Sequence, residues 1–593
     1  MILDDVSSAP NPQFARPDRL DLTGPWRFAF DDDDRGLRER WFADPTPLDR
    51  TITVPYPPES RLSGIHETGH HRVFWYARTI ALPLDDAHEH LVLNFGAVDF
   101  AATVWVDGAF VGAHEGGHTP FALDITDALD ASLAEHTIVV RVVDDPVDDE
   151  QPRGKQDWRP DPHVIWYHRT SGIWQPVWIE RTPAVRILSV RWRFDRAHWR
   201  LDYEVQLSAR AVAGTSLRIA LEHPTRTLPG VTAEIVGNRV SGQISLATSF
   251  EPMNWDELVW SPEHPNLIGA QLTLTAPDAP DDVVLSYVGL RTVELTPYRV
   301  RINGKPVFLR FVLNQGYWPE SQLTAPSPEA LKREVELILE LGFNGARNHQ
   351  KVEDPRFLYW ADRLGLLLWG EMPAAFTHTD RAIARHAQEW REAVIRDRNH
   401  PSVIAWVPFN ESWGVSEVGD AVGQQHAVSA AYHATYQLDG TRPVIGNDGW
   451  EQVAGDILTI HDYTWDPDDF STRYASHDAL EVTNETYFPG NRRIEVGNYQ
   501  RVNKPVIISE YGGVSYAPAS GDTWFGYGTV RSDEEYLAQY EALTRRLHDL
   551  PWLAGFCYTQ LTDTEQETNG LLTEAREPKV DISELRRITT GPR

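Results

Sequence analysis

Cysteine is almost absent. Cys557 stands alone among 593 residues, which excludes an intramolecular disulfide and any cysteine metal cluster. It lies in the apolar run 553–558 and reads as a buried core residue. No run approaches the roughly 18 consecutive apolar residues of a membrane-spanning helix. The start, Met1 to Asp5, lacks a basic cluster and an apolar stretch, so no secretory signal is read there and a cytoplasmic location is the expectation. Basic residues are scarce, with 55 Lys plus Arg against 86 Asp plus Glu and a formal charge of −31. A field of that sign repels nucleic acid and anionic membranes and favours a neutral small-molecule partner. The run Asp31 to Asp34 reads as a solvated loop. No G-x-S-x-G elbow and no Gly-rich phosphate loop occurs, which disfavours a Ser–His–Asp hydrolase and a nucleotide-phosphate site.

What is present is a chain too long for one ordinary domain, 41% apolar and 24% charged. It is rich in aromatics, with 22 Trp, 20 Tyr and 21 Phe. These fit large cores, or flat faces for stacking on sugar rings. Residues 1–183 show short alternating runs at 74–80, 91–95, 102–106 and 137–142, with a hairpin signal at Asp107-Gly108. This pattern predicts a jelly roll. Residues 184–297 are again strand-like, at 185–192, 201–207, 217–221 and 283–288, and their length suggests an immunoglobulin-like sandwich.

From 298 to 593 apolar runs of strand length alternate with helical stretches, the pattern of a parallel α/β domain. Eight candidate strands fall at 307–313, 342–346, 366–369, 403–409, 443–446, 457–460, 505–509 and 553–558. Ser327-Pro328-Glu329 opens one helix, with Leu331, Val335, Ile338 and Leu341 at helical spacing, and 534–547 forms another. Eight such units predict a (β/α)8 TIM barrel. Residues 466–502 show little periodicity and are expected to form a long loop over the face holding the strand ends.

Two glutamates end apolar runs. Glu411 follows the fourth candidate strand and Glu510 the seventh. A single carboxylate there could be a rim salt bridge. Two of them on different strands supply what cleavage of a glycosidic bond with retention needs, a protonated acid beside the leaving oxygen and an ionised nucleophile about 5–5.5 Å away. Asn410 could hold a sugar hydroxyl beside the reacting carbon, Trp413 could wall the site, and Gly512-Gly513 leave space after Glu510.

These flanks carry a resemblance. N-H-P-S-V-I-A-W-V-P-F-N-E-S-W-G at 399–414 and K-P-V-I-I-S-E-Y-G-G at 504–513 resemble the acid/base and nucleophile signatures of glycoside hydrolase family 2, the family of β-galactosidases, β-glucuronidases and β-mannosidases. V-W-V-D-G at 104–108, H-E-G-G-H-T-P-F at 114–121 and T-S-G-I-W at 170–174 resemble its N-terminal sugar-binding domain. The resemblance implies Glu411 as general acid/base, Glu510 as nucleophile and Tyr463 as the tyrosine that contacts it. R-N-H-Q-K at 347–351 resembles the rim after the second strand, so Arg347 and His349 are expected to bind hydroxyls or tune Glu510.

The departures bear on substrate. Where β-glucuronidases carry an Asn-x-Lys pair for the sugar carboxylate, this chain has Glu567 and Asn569, which argues against a uronate. Before Ser171-Gly172-Ile173, where several relatives place an aspartate, stands Trp166-Tyr167-His168, so Tyr167 and His168 are candidate sugar contacts. No second acidic ligand accompanies Glu371, so no metal is implied, and no cofactor is expected. His378, His66, His70 and His71 read as loop or structural histidines. Glu371, Asp448, Asp462, Asp563 and Glu565 are expected to be mostly partners of Arg or Trp N–H groups, and Tyr558 and Trp318 either wall the site or pack the core. The expectation is a retaining exo-glycosidase for small neutral glycosides or oligosaccharides, foremost β-galactosidase-like. β-Galactofuranosidase or α-L-arabinosidase, an endo-acting glycanase and a catalytically silent carbohydrate-binding relative are the alternatives. A homodimer is the commonest assembly for such a chain.

Overall fold

The computed structural model describes residues 2–82, 89–130, 132–246, 257–516 and 527–591. The N-terminal part is a two-sheet β structure. One sheet orders Arg19–Asp21, Val177–Pro183, Glu89–Phe95 and Phe121–Asp124. The other orders Arg50–Val54, Gly24–Phe30, Val73–Ile80, His136–Val143, Ala101–Val106 and Ala109–Glu115. Apolar side chains such as Trp26, Phe74, Leu93, Val104 and Val140 form its core. The hairpin falls at Asp107-Gly108, with φ of 50° and 80°, the positive pair that a two-residue turn demands.

The next segment packs the three-stranded sheet Ile187–Asp195, Arg200–Ala211, Gly237–Ser245 on a second sheet built around Ser216–His223, Ile268–Thr275 and Asp282–Val288. Residues of both sheets share one core that includes Trp192, Tyr203, Ile219 and Leu272. A small sheet, Val293–Thr296, Arg299–Ile302 and Lys305–Val307, straddles the expected boundary at 297/298.

The rest is a TIM barrel. Seven parallel strands run in the order Val403–Val407, Leu367–Glu371, Gly345–Asn348, Leu309–Asn314, Gly555–Thr559, Val506–Gly512, Leu458–His461. Pairing of the first strand, Leu309–Asn314, with the last, Gly555–Thr559, closes the sequence ends on each other. The expected strand at 443–446 is a correction. It joins the fourth strand only through isolated bridges, Trp406 to Val444 and, further on, Asn410 to Asp448. Pro443 has no N–H to give a ladder, and Ile445 turns to an antiparallel bridge with Gly455. The segment still fills the fifth position, so Asp448 comes up beside Glu411, whose N–H it accepts at 2.9 Å.

Helix signals act where the sequence places them. Ser327 caps Pro328–Glu340 by accepting from Ala330 N, and Ser532 caps Asp533–His548 through Glu535 N. The stretch 466–502 differs from the expected loop. It holds helices Pro467–Arg473 and His477–Thr486, each capped, by Asp466 and by Ser476. Their burial rests on Phe470 and Leu480, too few apolar positions to show a period. The run 31–34 is also corrected in part. Asp31 is buried and accepts from Trp75 Nε1 at 3.0 Å and from Gly36 N at 2.8 Å, while Asp32 to Asp34 are exposed. Cys557 is buried, as expected.

Candidate active site

The site grows from the strand ends. Glu411 and Ser412 leave the fourth strand with φ of 52° and 61°, a turn that swings the Glu411 carboxylate back over the barrel mouth. Glu510 lies inside the strand Val506–Gly512, one step further into regular structure than the sequence suggests. One ligand atom each from Glu411, Glu510 and His461 lie within 4.8 Å of one another, so the two carboxylates face each other at short range.

Arg347 organises the floor. Its guanidinium is fully buried and donates to Glu510 Oε1 at 3.0 Å, Asn410 Oδ1 at 3.0 Å, Glu371 Oε2 at 3.1 Å and Ser509 O at 2.8 Å, with Asp448 Oδ2 2.7 Å away. Burial opposes its charge, but Asp448, Glu371 and Glu510 hold its pKa well above the ordinary value. Burial raises Glu371 and Asp448, yet Arg347 outweighs it and holds both below the carboxylate range. His349 Nδ1 sits 2.8 Å from Glu371 Oε1. Both terminal nitrogens of Arg347 are thus engaged by protein groups, Glu371 and Asp448 among them, while its Nε has no partner among the described residues.

Tyr463 donates to Glu510 Oε2 and stacks on Tyr527 at 3.7 Å between ring centroids. Trp413 lies 3.4 Å from Glu411 Oε2 through Nε1 and packs edge-on against Trp166 and Phe376. Among the described residues Asn410 Nδ2 and Asn569 Nδ2 are buried without a hydrogen-bond partner, which leaves both amides free to donate to a bound hydroxyl.

Tyr167 and His168 have protein partners. Tyr167 is fully buried and donates to Glu567, and His168 Nδ1 pairs with Glu565 at 2.9 Å. They clamp the loop after the eighth strand to the N-terminal domain and are occupied by protein carboxylates. Asp462 binds Arg473, Tyr474 and Tyr487, and Asp563 binds Lys579. His378 meets Gly414 O, His66 meets Glu59 O, and His71 meets Asp32. Tyr558 is in the barrel core, and Trp318 lies under the Arg576 guanidinium.

Two residues escaped sequence reasoning. His461 ends the sixth strand and sets Nδ1 2.8 Å from Glu411 Oε1, with Nε2 3.3 Å from Glu510 Oε1. Its only signal was a place two residues before Tyr463. Burial opposes its charge, but Glu510, Asp448 and Glu411 raise its pKa to about 10. Burial likewise pushes Glu411 up, but His461, with Lys155 and His349 beyond, holds it down to about 2. The second residue is Lys155, 7% exposed, which reaches the site from the N-terminal domain. Gly154 allows this approach. Its φ is 61°, and a Cβ there would stand 2.5 Å from Gln350 O. Lys155 acts electrostatically on both Glu411 and Glu567, and it forms no ion pair among the described residues.

The Glu411–His461 pair makes stability depend on pH with a definite sign. A raised histidine stabilises fully below its ordinary value near 6.5, and that contribution is lost as pH rises through about 10. A depressed Glu411 stabilises above the ordinary carboxylate value and loses its contribution as pH falls toward about 2. Thermal unfolding across pH should therefore peak near pH 5–6.5. His461→Asn should flatten the alkaline side, by on the order of 2 kcal/mol because the pair shares one interaction.

A closed parallel barrel with paired strand-end glutamates, one held by arginine and tyrosine, is the constellation of a glycoside hydrolase. Residues 293–591 match the TIM barrel domain of glycosyl hydrolases family 2, and residues 20–183 match the sugar binding domain of that family. The chain belongs to glycosyl hydrolases family 2. It is 25% identical over 629 residues to a β-glucuronidase of Felis catus, spanning 95% of this chain and 89% of that one. It is 26% identical over 484 residues to a β-galactosidase of Thermoanaerobacter pseudethanolicus, covering 77% and 60%. The solved structure of Bifidobacterium dentium β-glucuronidase complexed with coumarin-3-O-glucuronide superposes with a TM-score of 0.76 at 21% identity, over 97% of this chain and 98% of that one. Among the described residues no helix is long and apolar enough to cross a membrane.

Proposed function

We propose that this glycoside hydrolase is a retaining exo-β-glycosidase, with Glu510 as nucleophile and Glu411 as acid/base. The observation that carries this reading is the approach of the two carboxylates within 4.8 Å, with Glu510 gripped by Arg347 and Tyr463 and Glu411 by His461. Glu510 forms the glycosyl ester while Glu411 protonates the leaving oxygen, and Glu411 then deprotonates the water that frees the sugar. Asn410 and Asn569 supply the free amide donors for its hydroxyls. The 150–168 segment of the N-terminal domain closes one side, since Gly154 N donates to Ala374 O of the barrel at 3.0 Å. A walled pocket of this kind favours a terminal sugar over the middle of a polymer. The expected division of the chain into 1–183, 184–297 and 298–593 remains the proposed domain scheme.

The glycone reading shifts from the sequence expectation. Relatives named β-glucuronidase weigh toward β-D-glucuronides, and Lys155 supplies a buried cation beside the site. Glu567 sustains a second reading, a neutral glycone such as a β-galactoside, β-galactofuranoside or α-L-arabinoside. Burial pushes the Glu567 carboxyl up, against the pull of Lys155 and Tyr167, and a buried carboxyl of this kind is suited to sugar hydroxyls. A panel of nitrophenyl glycosides separates them. On the glucuronide reading, nitrophenyl β-D-glucuronide is the best substrate, and Lys155→Met lowers its kcat/KM about 100-fold, the value of a lost charged contact. A best rate on a neutral glycoside removes the glucuronide reading.

A further inference from the structure

His461 lies against both catalytic glutamates, and the mechanism above does not use it. Its ring is fixed. Trp450 packs edge-on at 5.5 Å, and Gly449, at φ 98°, leaves the space in which a Cβ would come within 2.6 Å of the imidazole. Glu411 at the fourth strand faces Nδ1 at 2.8 Å. Asp448 at the fifth position and Glu510 on the seventh strand face Nε2 at 3.4 and 3.3 Å. Arg347 Nη1 on the second strand is also 3.4 Å from Nε2.

Counting hydrogens assigns the ring's state. Arg347 Nη1 carries two, and these go to Ser509 O at 2.8 Å and Glu510 Oε1 at 3.0 Å. No third hydrogen is left for Nε2. An unprotonated Nε2 would aim its lone pair at two carboxylate oxygens, and an unprotonated Nδ1 would do the same to an ionised Glu411. Imidazolium suits this arrangement: Nδ1 donates to Glu411, and the positive ring faces the Asp448 and Glu510 carboxylates at ion-pair range.

We propose that His461 is the resting seat of the acid/base proton: it carries that proton while Glu510 is a free carboxylate and is neutral while Glu510 is a glycosyl ester. This rests on the retaining reading of the two glutamates. In the first step Glu510 oxygen bonds to the anomeric carbon and the bond to the leaving oxygen breaks. That oxygen takes a proton from Glu411, which is made good from Nδ1. Esterification then removes one of the carboxylates that hold the imidazolium. In the second step water oxygen bonds to the anomeric carbon, the ester bond breaks, and the water's proton returns through Glu411 to Nδ1. The pair holds one proton at rest and none in the intermediate, so protons balance over the cycle. His461 is thus a positioning residue that makes the proton affinity of Glu411 follow the charge of Glu510.

The test is nitrogen NMR of protein labelled with 15N-histidine, at pH 8, before and after trapping with a 2-deoxy-2-fluoro glycoside of the glycone preferred in the panel. His461→Asn assigns the signal. The expected result is a doubly protonated ring at rest and a neutral ring in the trapped enzyme. A ring neutral in both states, or charged in both, overturns the proposal. Failure to trap any ester on an active enzyme would instead remove the retaining reading. In parallel, His461→Asn should move the alkaline limb of the kcat/KM profile toward acid by about one pH unit or more, with a loss at pH 8 of about 100-fold. A uniform loss across pH, with both limbs unmoved, marks a merely structural histidine and also contradicts the proposal.

Discussion

Glu510→Gln should lower kcat/KM on an aryl glycoside by about five orders of magnitude, on the order of 7 kcal/mol of transition-state stabilisation at 1.4 kcal/mol per tenfold. The amide is nearly isosteric, so Arg347 and Tyr463 keep a partner and the fold stands. What is lost, on the proposed mechanism, is the anion that attacks the anomeric carbon. Steady-state kinetics with a nitrophenyl substrate, beside a thermal melt to show the fold intact, measures it. A variant that retains a tenth of wild-type activity would remove Glu510 from the nucleophile role.

The second large effect is on stability. Arg347→Met should destabilise the barrel by about 3–5 kcal/mol, the cost of leaving buried carboxylates without their cation. Glu371, Asp448 and Glu510 all contact this guanidinium, and the side chains of Glu371 and Asp448 are wholly buried. Methionine fills comparable volume, so packing loss is the lesser part. Adding Glu371→Gln and Asp448→Asn should restore much of the stability without restoring activity, since the charges that needed the arginine are then gone. Denaturant unfolding followed by barrel tryptophan fluorescence reads both. No loss in the single variant, or no recovery in the triple, would contradict the network described for Arg347.

Much of this was legible along the chain because local rules carried it. The switch from alternating runs to strand–helix alternation near residue 298 marks the barrel, and Ser327 and Ser532 mark helix starts that the structure caps. Glu411, Glu510 and Arg347 stand toward the C-terminal ends of barrel strands, where short-range pattern places them. What was hidden depends on contacts between distant segments. Asp448 and Val444 take the fifth barrel position without a regular ladder, because Pro443 and the antiparallel turn-back at Gly455 interrupt it. Tyr167 and His168 invited reading as sugar contacts, but Glu567 and Glu565, about 400 residues away, claim them first. Lys155 showed no signal, since only the docking of Gly154 on the barrel brings it to the pocket. His461 looked like part of the Tyr463 motif, and only the separation of its two nitrogens between Glu411 and Glu510 gives it a role.

The most direct test of the paired glutamates is peptide mass spectrometry of the enzyme inactivated by a 2-deoxy-2-fluoro glycoside of its preferred glycone. The added mass is expected on the peptide that carries Glu510 and nowhere else, and should be absent in Glu510→Gln. Label on a different carboxylate, or turnover that releases the inverted anomer with no covalent adduct, would contradict the assignment of nucleophile and acid/base.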